Sequence, residues 1–417
     1  MPQQFVADPG QNFACRDCPA WCCRMPWRIT VTGEEKDRIL ALDWVQSRLA
    51  SSGLSPVFSP IEGRGFILPM VEKKRILQCA FLDEDKLCSL HKRGGIDATP
   101  QTCQTFPFGF IELEDGSLQS YLSHLCPSIR NNYGEPLAPQ LPEKAGRMKG
   151  LAPFKMVPRL RLGPGHIRQA DYLVWADRAA GLIGETTAPA SALQQIQDWT
   201  MALASEVPPG GEFGGGWTGS ELRGAVDVPA APPENWAKST RLLLAICLLP
   251  VSYPSRVSGG HGMLERLRFY QASLGFVRRL VGQKKVVDLL FLDEPVELAA
   301  AFSIPSAITS PECRARLSRF LRGLLQRRNF FFTDKSLEKI VFLLALAGSV
   351  VTVFARLKAA SAGRSACEPS DLAEGESVAE FVLTYHSNLV ESQKALEILT
   401  GFMASYPPAF LGLIETY

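Results

Sequence analysis

The chain has 417 residues, enough for two or three domains that each bury a core, and its 46% apolar and 21% charged content excludes long disorder. A formal net charge of +2 provides no global field to attract nucleic acid, so no nucleic-acid partner is expected.

The N-terminal stretch Met1 to Asn12 is polar and lacks the apolar segment of a secretory signal, which points to the cytoplasm. The eleven cysteines that follow are segregated. Cys15, Cys18, Cys22 and Cys23 fall within nine residues, and Cys79, Cys88, Cys103 and Cys126 complete eight within the first third of the chain. Cys247, Cys313 and Cys367 are single and scattered. In a reducing cytosol, clustered cysteines suggest metal ligands or redox groups rather than disulfides. Thiolate is a soft ligand that suits zinc, iron–sulfur clusters and copper(I). The Cys15-x2-Cys18 spacing turns the backbone around one ion. Adjacent side chains in an extended stretch point apart. Cys22 and Cys23 therefore serve different sites, or one ligates while its neighbour packs. Eight thiols fill two tetrahedral sites, or one cluster plus accessory thiols. Buried cysteines acting as small hydrophobes are the plainer alternative, and it accounts less well for the spacing.

Further along, Trp27 to Val31 alternates as a strand, and Thr32 with Glu35 forms a capping box. The helix it opens carries Ile39, Leu40, Leu42, Val45 and Leu49 and fades at Ser51-Ser52-Gly53. Phe66 to Val71 reads as a strand. Cys79-x8-Cys88 reads as a hairpin that returns the second thiol beside the first. Asp115-Gly116 turns a second hairpin between Phe108–Glu114 and Ser117–Ser123. These elements make residues 1–135 a cysteine-cluster metal-binding domain. Residues 136–165 follow as a Pro-, Gly- and Lys-rich linker. Residues 166–417 read as a helical domain interrupted by a Pro/Gly-rich loop at 207–239. Its helices are expected at Ile167–Ile183, Ala190–Ser205, Thr240–Leu249, Gly262–Val281, Lys284–Leu292, Glu312–Arg328, Ser336–Leu357, Asp371–Leu389 and Glu391–Phe402. The fold class expected is α+β, with a small cysteine-rich domain followed by a larger all-α one. Ile340 to Ala355 runs sixteen residues without a charge, short of the roughly twenty that a bilayer span needs. A buried core helix is expected there, and no membrane partner.

Several runs together carry a resemblance to a known family. They are Cys15-x2-Cys18-x3-Cys22-Cys23, Trp27-Arg28-Ile29-Thr30-Val31, Cys79-Ala80-Phe81-Leu82-Asp83-Glu84-Asp85-Lys86-Leu87-Cys88-Ser89-Leu90-His91 and Thr102-Cys103-Gln104-Thr105-Phe106-Pro107. This pattern resembles the YkgJ-type CxxCxxCC cysteine-cluster family, described as a zinc- or iron-chelating domain with eight cysteines. The family includes flagellin lysine-N-methylases, which are similar in layout, with a helical region after the cysteine domain. The resemblance implies Cys15, Cys18, Cys22, Cys23, Cys79, Cys88, Cys103 and Cys126 as metal ligands. It also implies a 4Fe–4S cluster or zinc, S-adenosylmethionine as methyl donor, and lysine side chains of a flagellin-like protein as substrate. The first motif departs from the family by having three residues before the Cys-Cys pair, which leaves the choice between Cys22 and Cys23 open. Both metals accept four thiolates; the resemblance and the lack of matched His ligands favour 4Fe–4S.

Other groups weigh less. His91 and His124 lie near cysteines and are candidate ligands or proton donors; His166, His261 and His386 read as structural. Leu162-Gly163-Pro164-Gly165 and Gly210 to Gly216 lack the strand and helix of a dinucleotide-type fingerprint and read as loops, so S-adenosylmethionine would bind without it, its amino-acid group on a cluster iron. The Cys-x3-Cys-x2-Cys signature of radical enzymes is absent from the sequence. Arg314, Arg316, Arg319, Arg322, Arg327 and Arg328 read as a solvated face above a buried stripe of Leu317, Phe320, Leu321, Leu324 and Leu325. Arg16, Asp17, Arg24 and Arg28 surround the first cysteines, where the cations favour thiolate. The function read from the sequence is a cluster-bearing protein lysine methylase, with no catalytic base identified and the oligomeric state open. The alternatives are a non-enzymatic zinc- or iron-binding module and an electron carrier.

Overall fold

A computed structural model describes residues 5–6, 10–14, 20–24, 29–51, 58–61, 65–73, 76–148, 154–184, 188–214, 248, 278, 286–287, 289, 292, 294–327 and 336–388. The expected helices at Thr240–Leu249, Gly262–Val281 and Glu391–Phe402 lie outside the described residues, apart from Leu248 and Arg278, both helical. The chain mixes helices with small sheets and divides into two units. One takes Phe5–Phe110 and Leu122–Pro153; the other takes Ile111–Tyr121 and Phe154–Tyr417.

The first unit holds seven short helices among its described residues: α1 (Trp21–Arg24), α2 (Gly33–Leu40), α3 (Asp43–Ser51), α4 (Ser89–Gly94), α5 (Gln101–Thr105), α6 (Pro127–Arg130) and α7 (Leu141–Gly146). The capping box forms as expected: Glu35 N–H donates to Thr32 Oγ1 at 3.2 Å, and Thr32 N–H donates to Glu35 Oε2 at 2.8 Å. The single helix expected after it is broken between α2 and α3. Ile39 and Val45 are six residues apart, about 240° around a continuous helix, yet both are fully buried. The break at Ala41-Leu42 turns both onto one core, which also takes Leu49, Phe58, Leu68 and Phe81. A three-stranded antiparallel sheet sets Gly65–Ile67 between Thr30–Val31 and Ser59–Ile61. Gly65 has φ +95°, and a Cβ there would strike the Val31 carbonyl oxygen, so this position requires glycine.

The strand expected at Phe66 to Val71 is two strands. Pro69 has no N–H for a ladder, and after it the chain starts a second antiparallel pair, Met70–Lys73 with Ile76–Cys79, which sets Met70 opposite Cys79. The stretch 136–165 carries α7, whose Leu141 is fully buried, and a hairpin of Arg159–Leu162 with Gly165–Arg168.

In the second unit, α8 (Gln169–Leu182) and α9 (Pro189–Glu206) are joined by stacked Trp175 and Trp199, with Trp175 Nε1–H donating to Thr200 Oγ1 at 3.1 Å. Three more helices, α10 (Leu298–Phe302), α11 (Pro311–Arg327) and α13 (Pro369–Asn388), pack with α9 against α12 (Leu337–Ser361). Every residue from Ile340 to Leu357 in α12 is buried. Helix α12 is long and apolar enough to cross a membrane by length and composition, and here its apolar surface is covered by protein. Its two buried hydroxyls are satisfied within the helix: Ser349 Oγ–H donates to the Ala345 carbonyl and Thr352 Oγ1–H to the Gly348 carbonyl.

The helix expected at Lys284–Leu292 is corrected. Val286–Val287 is a strand, antiparallel to Val296–Glu297, because two β-branched residues gain a ladder partner there. On α11 the expected buried stripe is present, from Leu317 to Leu325. Arg319 is exposed, whereas Arg316 turns inward and pairs with buried Glu376 of α13 at 2.8 Å. The side chain of Arg327, together with Arg328, lies outside the described residues. At the α13 entry, Arg364 grips Asp371 with both Nη atoms at 2.7 and 2.6 Å.

Helices α12 and α13 meet where Gly375 faces Val351, and a Cβ on Gly375 would sit 2.7 Å from the Val351 carbonyl oxygen. Gly375→Ala should therefore destabilise the protein by about 1–3 kcal/mol. Gly181→Ala, in α8 with open space around it, should stabilise by up to about 1 kcal/mol. Urea midpoints of the two variants check the opposite signs.

Candidate functional site

The cysteines of the first unit arrive from separate elements. Cys22 and Cys23 lie on the single turn of α1, with sulfurs 3.9 Å apart. Cys79 ends the strand Ile76–Cys79, against which α1 packs. Cys88 is the N-cap of α4 and bridges back to Leu82, so the expected hairpin forms. Cys103 sits in the middle of α5. Two contacts hold α5 in place. Gln101 N–H donates to Glu35 Oε1 at 2.7 Å, and Thr102 Oγ1–H donates to the Thr30 carbonyl at 3.2 Å. One carboxylate thus caps α2 with one oxygen and the start of α5 with the other.

Cys79 is buried within the hydrophobic core, and Cys23, Cys88 and Cys103 pack against that core. Electrostatics ties the thiols together. Burial pushes Cys79 well up, and the charges of Cys103, Cys88 and Cys22 add to it. Burial likewise raises Cys103 far above its ordinary value, with Cys22 and Cys88 contributing. Cys22 is raised first by its hydrogen bond with Cys23 and then by burial. Burial raises Cys88 too. Two sets of donors act the other way: the Phe81 N–H on Cys79, and the His91 and Leu90 N–H groups on Cys88. Without a counter-charge these thiols are neutral. A cation among them would invert that preference, because it favours thiolate directly.

The donor chemistry of Cys22, Cys79, Cys88 and Cys103 is of the kind that suits a soft metal. Among the described residues, however, no three His, Cys, Asp or Glu side chains stand close enough together to close a coordination sphere. Cys15 and Cys18 lie outside the described residues, as do Arg16, Asp17 and Arg28. Cys126 is buried at the N-cap of α6 and is not part of the core that contains Cys79.

The other candidates are placed as follows. His91 is exposed on α4, and His124 is buried, its carbonyl accepting from Arg130 Nη1 at 2.9 Å. His166 is exposed on the Arg159–Arg168 hairpin, while His261 and the side chain of His386 lie outside the described residues. Leu162 to Gly165 is that hairpin's turn, and Gly210 N–H docks on the Pro164 carbonyl, so neither is a strand-to-helix phosphate loop; Gly215 and Gly216 are outside the described residues. Burial raises Cys313 and pushes Cys367 up to about 12 in the second unit; Cys247 lies outside the described residues. Sequence reasoning missed the second role of Glu35, which joins two elements 66 residues apart. Nothing local marks that contact.

No protein-family model matches the chain, and searches of curated proteins and of solved structures found no significant match.

The raised thiols give a pH dependence of known sign. A thiol whose folded pKa exceeds the unfolded value of about 9.0 stabilises fully below pH 9 and loses that contribution as pH rises above it. Metal-free, reduced protein should lose stability between pH 8 and 10.5, at up to about 1.4 kcal/mol per pH unit for each fully buried thiol. Urea midpoints across that range check it, and Cys79→Ala should flatten the slope.

Proposed function

We propose that the first unit is a metal–thiolate module built on Cys22, Cys79, Cys88 and Cys103, with Cys15, Cys18, Cys23 and Cys126 completing the eight-thiol set, and that the second unit serves it as a helical domain. The observation that carries this reading is that one buried thiol, Cys79, and three half-buried ones, Cys22, Cys88 and Cys103, come from four separate elements and lie within reach of one another's charge. A core needs no such gathering. Small hydrophobes of any kind would pack there, and backbone donors aimed at sulfur favour thiolate over thiol. Thiolates gathered in this way suit zinc or a 4Fe–4S cluster.

The activity proposed for the module is transfer of a methyl group from S-adenosylmethionine to lysine side chains of a partner protein in the cytoplasm, and it rests on the cysteine-family resemblance. The chain's own part would be to hold the cluster, bind the donor and present the acceptor amine.

Anaerobic purification followed by iron, zinc, sulfide and S-adenosylmethionine-binding measurements tests both levels. Iron and sulfide near stoichiometry, with donor binding in calorimetry, are the expected results. One or two zinc ions that persist after an iron-reconstitution control, with no donor binding, would replace the methylase with a zinc module. Cys79→Ser and Cys103→Ser should lose metal, whereas Cys313→Ala and Cys367→Ala should keep it. Full metal content in both serine variants would remove the metal–thiolate reading itself.

A further inference from the structure

The loop that joins Cys79 to Cys88 has its backbone held by a side chain from α3, while Lys92 pairs with its carboxylates at Asp83 and, at 2.6 Å, Asp85. Arg48 of α3 donates from Nε to the Ala80 carbonyl at 3.1 Å, from Nη2 to the Leu82 carbonyl at 2.9 Å and from Nη1 to Asp83 Oδ1 at 2.7 Å. The other oxygen of Asp83 meets Lys92 Nζ at 3.3 Å. One turn earlier on α3, Trp44 packs edge-on against Phe81 with ring centroids 6.2 Å apart, and Arg93 stacks over Trp44 at 4.7 Å. Helix α3 therefore grips this loop at i and i+4.

The peptide unit involved is informative. The Ala80 carbonyl and the Phe81 N–H belong to one rigid plane, so a guanidinium fixed on the carbonyl side sets where the N–H points, and it polarises that N–H. The Phe81 N–H is also the backbone donor that favours the Cys79 thiolate against its burial. We infer that Arg48 is a positioning residue for the Cys79–Cys88 ligand pair, fixing the loop between them through the Ala80 and Leu82 carbonyls and Asp83. This rests on the metal–thiolate reading. Three acceptors held at once by a planar fork need arginine; the ammonium of lysine carries the charge without the geometry. Outer contacts of this kind orient the ligands that touch a metal, and their loss weakens metal binding.

The test uses cobalt(II) as the probe on the full chain, titrated anaerobically and competed with a chelator, in wild type, Arg48→Met, Arg48→Lys and Lys92→Ala. Wild type should show thiolate-to-cobalt charge-transfer absorption. Both Arg48 variants should bind cobalt about 10–100-fold more weakly, with a displaced charge-transfer band. Lys92→Ala, which removes the solvent-facing ion pairs with Asp83 and Asp85 but no contact to the loop backbone, should stay within about fivefold. Far-ultraviolet dichroism and metal-free unfolding midpoints report folding, and if Arg48→Met does not fold, Arg48→Lys decides. Folded Arg48 variants with wild-type affinity and band position overturn the inference, and so does a loss in Lys92→Ala equal to that in Arg48→Lys. Failure of both Arg48 variants to fold also overturns it, since Arg48 would then be a general structural residue. Wild type without thiolate bands removes the metal reading, and this inference with it.

Discussion

Thiols gathered in and against an apolar core stay there as neutral groups or around a cation, because their charged form is poorly solvated. That constraint organises the first unit. Cys79 lies in the core, Cys88 and Cys103 pack against it from two short helices, and Cys22 approaches on a single helical turn. Elements this short have little stability of their own. They are held by long-range contacts: Glu35 to the start of α5, Arg48 to the Ala80–Asp83 loop, Thr102 to Thr30. A bound metal would add to these contacts, since metal binding by such thiols is linked to folding.

The second unit solves a different problem. Helix α12 is apolar on every side, so it has to be surrounded, and α9, α10, α11 and α13 surround it. The close approach at Gly375 lets α13 lie against α12 backbone to backbone. Two of the carboxylates carried into this packing are paired, Glu376 with Arg316 and Asp371 with Arg364, and the buried Arg356 of α12 lies over the Phe302 ring. Removing one member of a buried pair leaves the other uncompensated, which is costlier than the pair is favourable.

Much of this was legible in the chain. The Thr32–Glu35 capping box, the Asp115-Gly116 turn, the apolar run of α12 and the buried stripe of α11 are local patterns, and local patterns survive folding because neighbours in sequence set them. The Lys284–Leu292 helix failed because Val286 and Val287 found a partner strand. The single helix after the capping box failed because Ile39 and Val45 had to face the same core. Both outcomes depend on contacts that a window of sequence does not contain.

The cysteine constellation divides along the same line. The sequence by itself determined that eight thiols are concentrated in one third of the chain and that the spacing suits metal ligands, because composition and spacing are properties of the covalent chain. Only the tertiary structure decided that Cys79 enters the core with Cys23, Cys88 and Cys103 packed against it, that Cys126 starts a helix and is not part of that core, and that Glu35 and Arg48 hold the elements that carry them. The physical reason is that convergence of distant residues is a property of packing. Burial, charge repulsion and the direction of a peptide N–H exist only once the chain has folded back on itself.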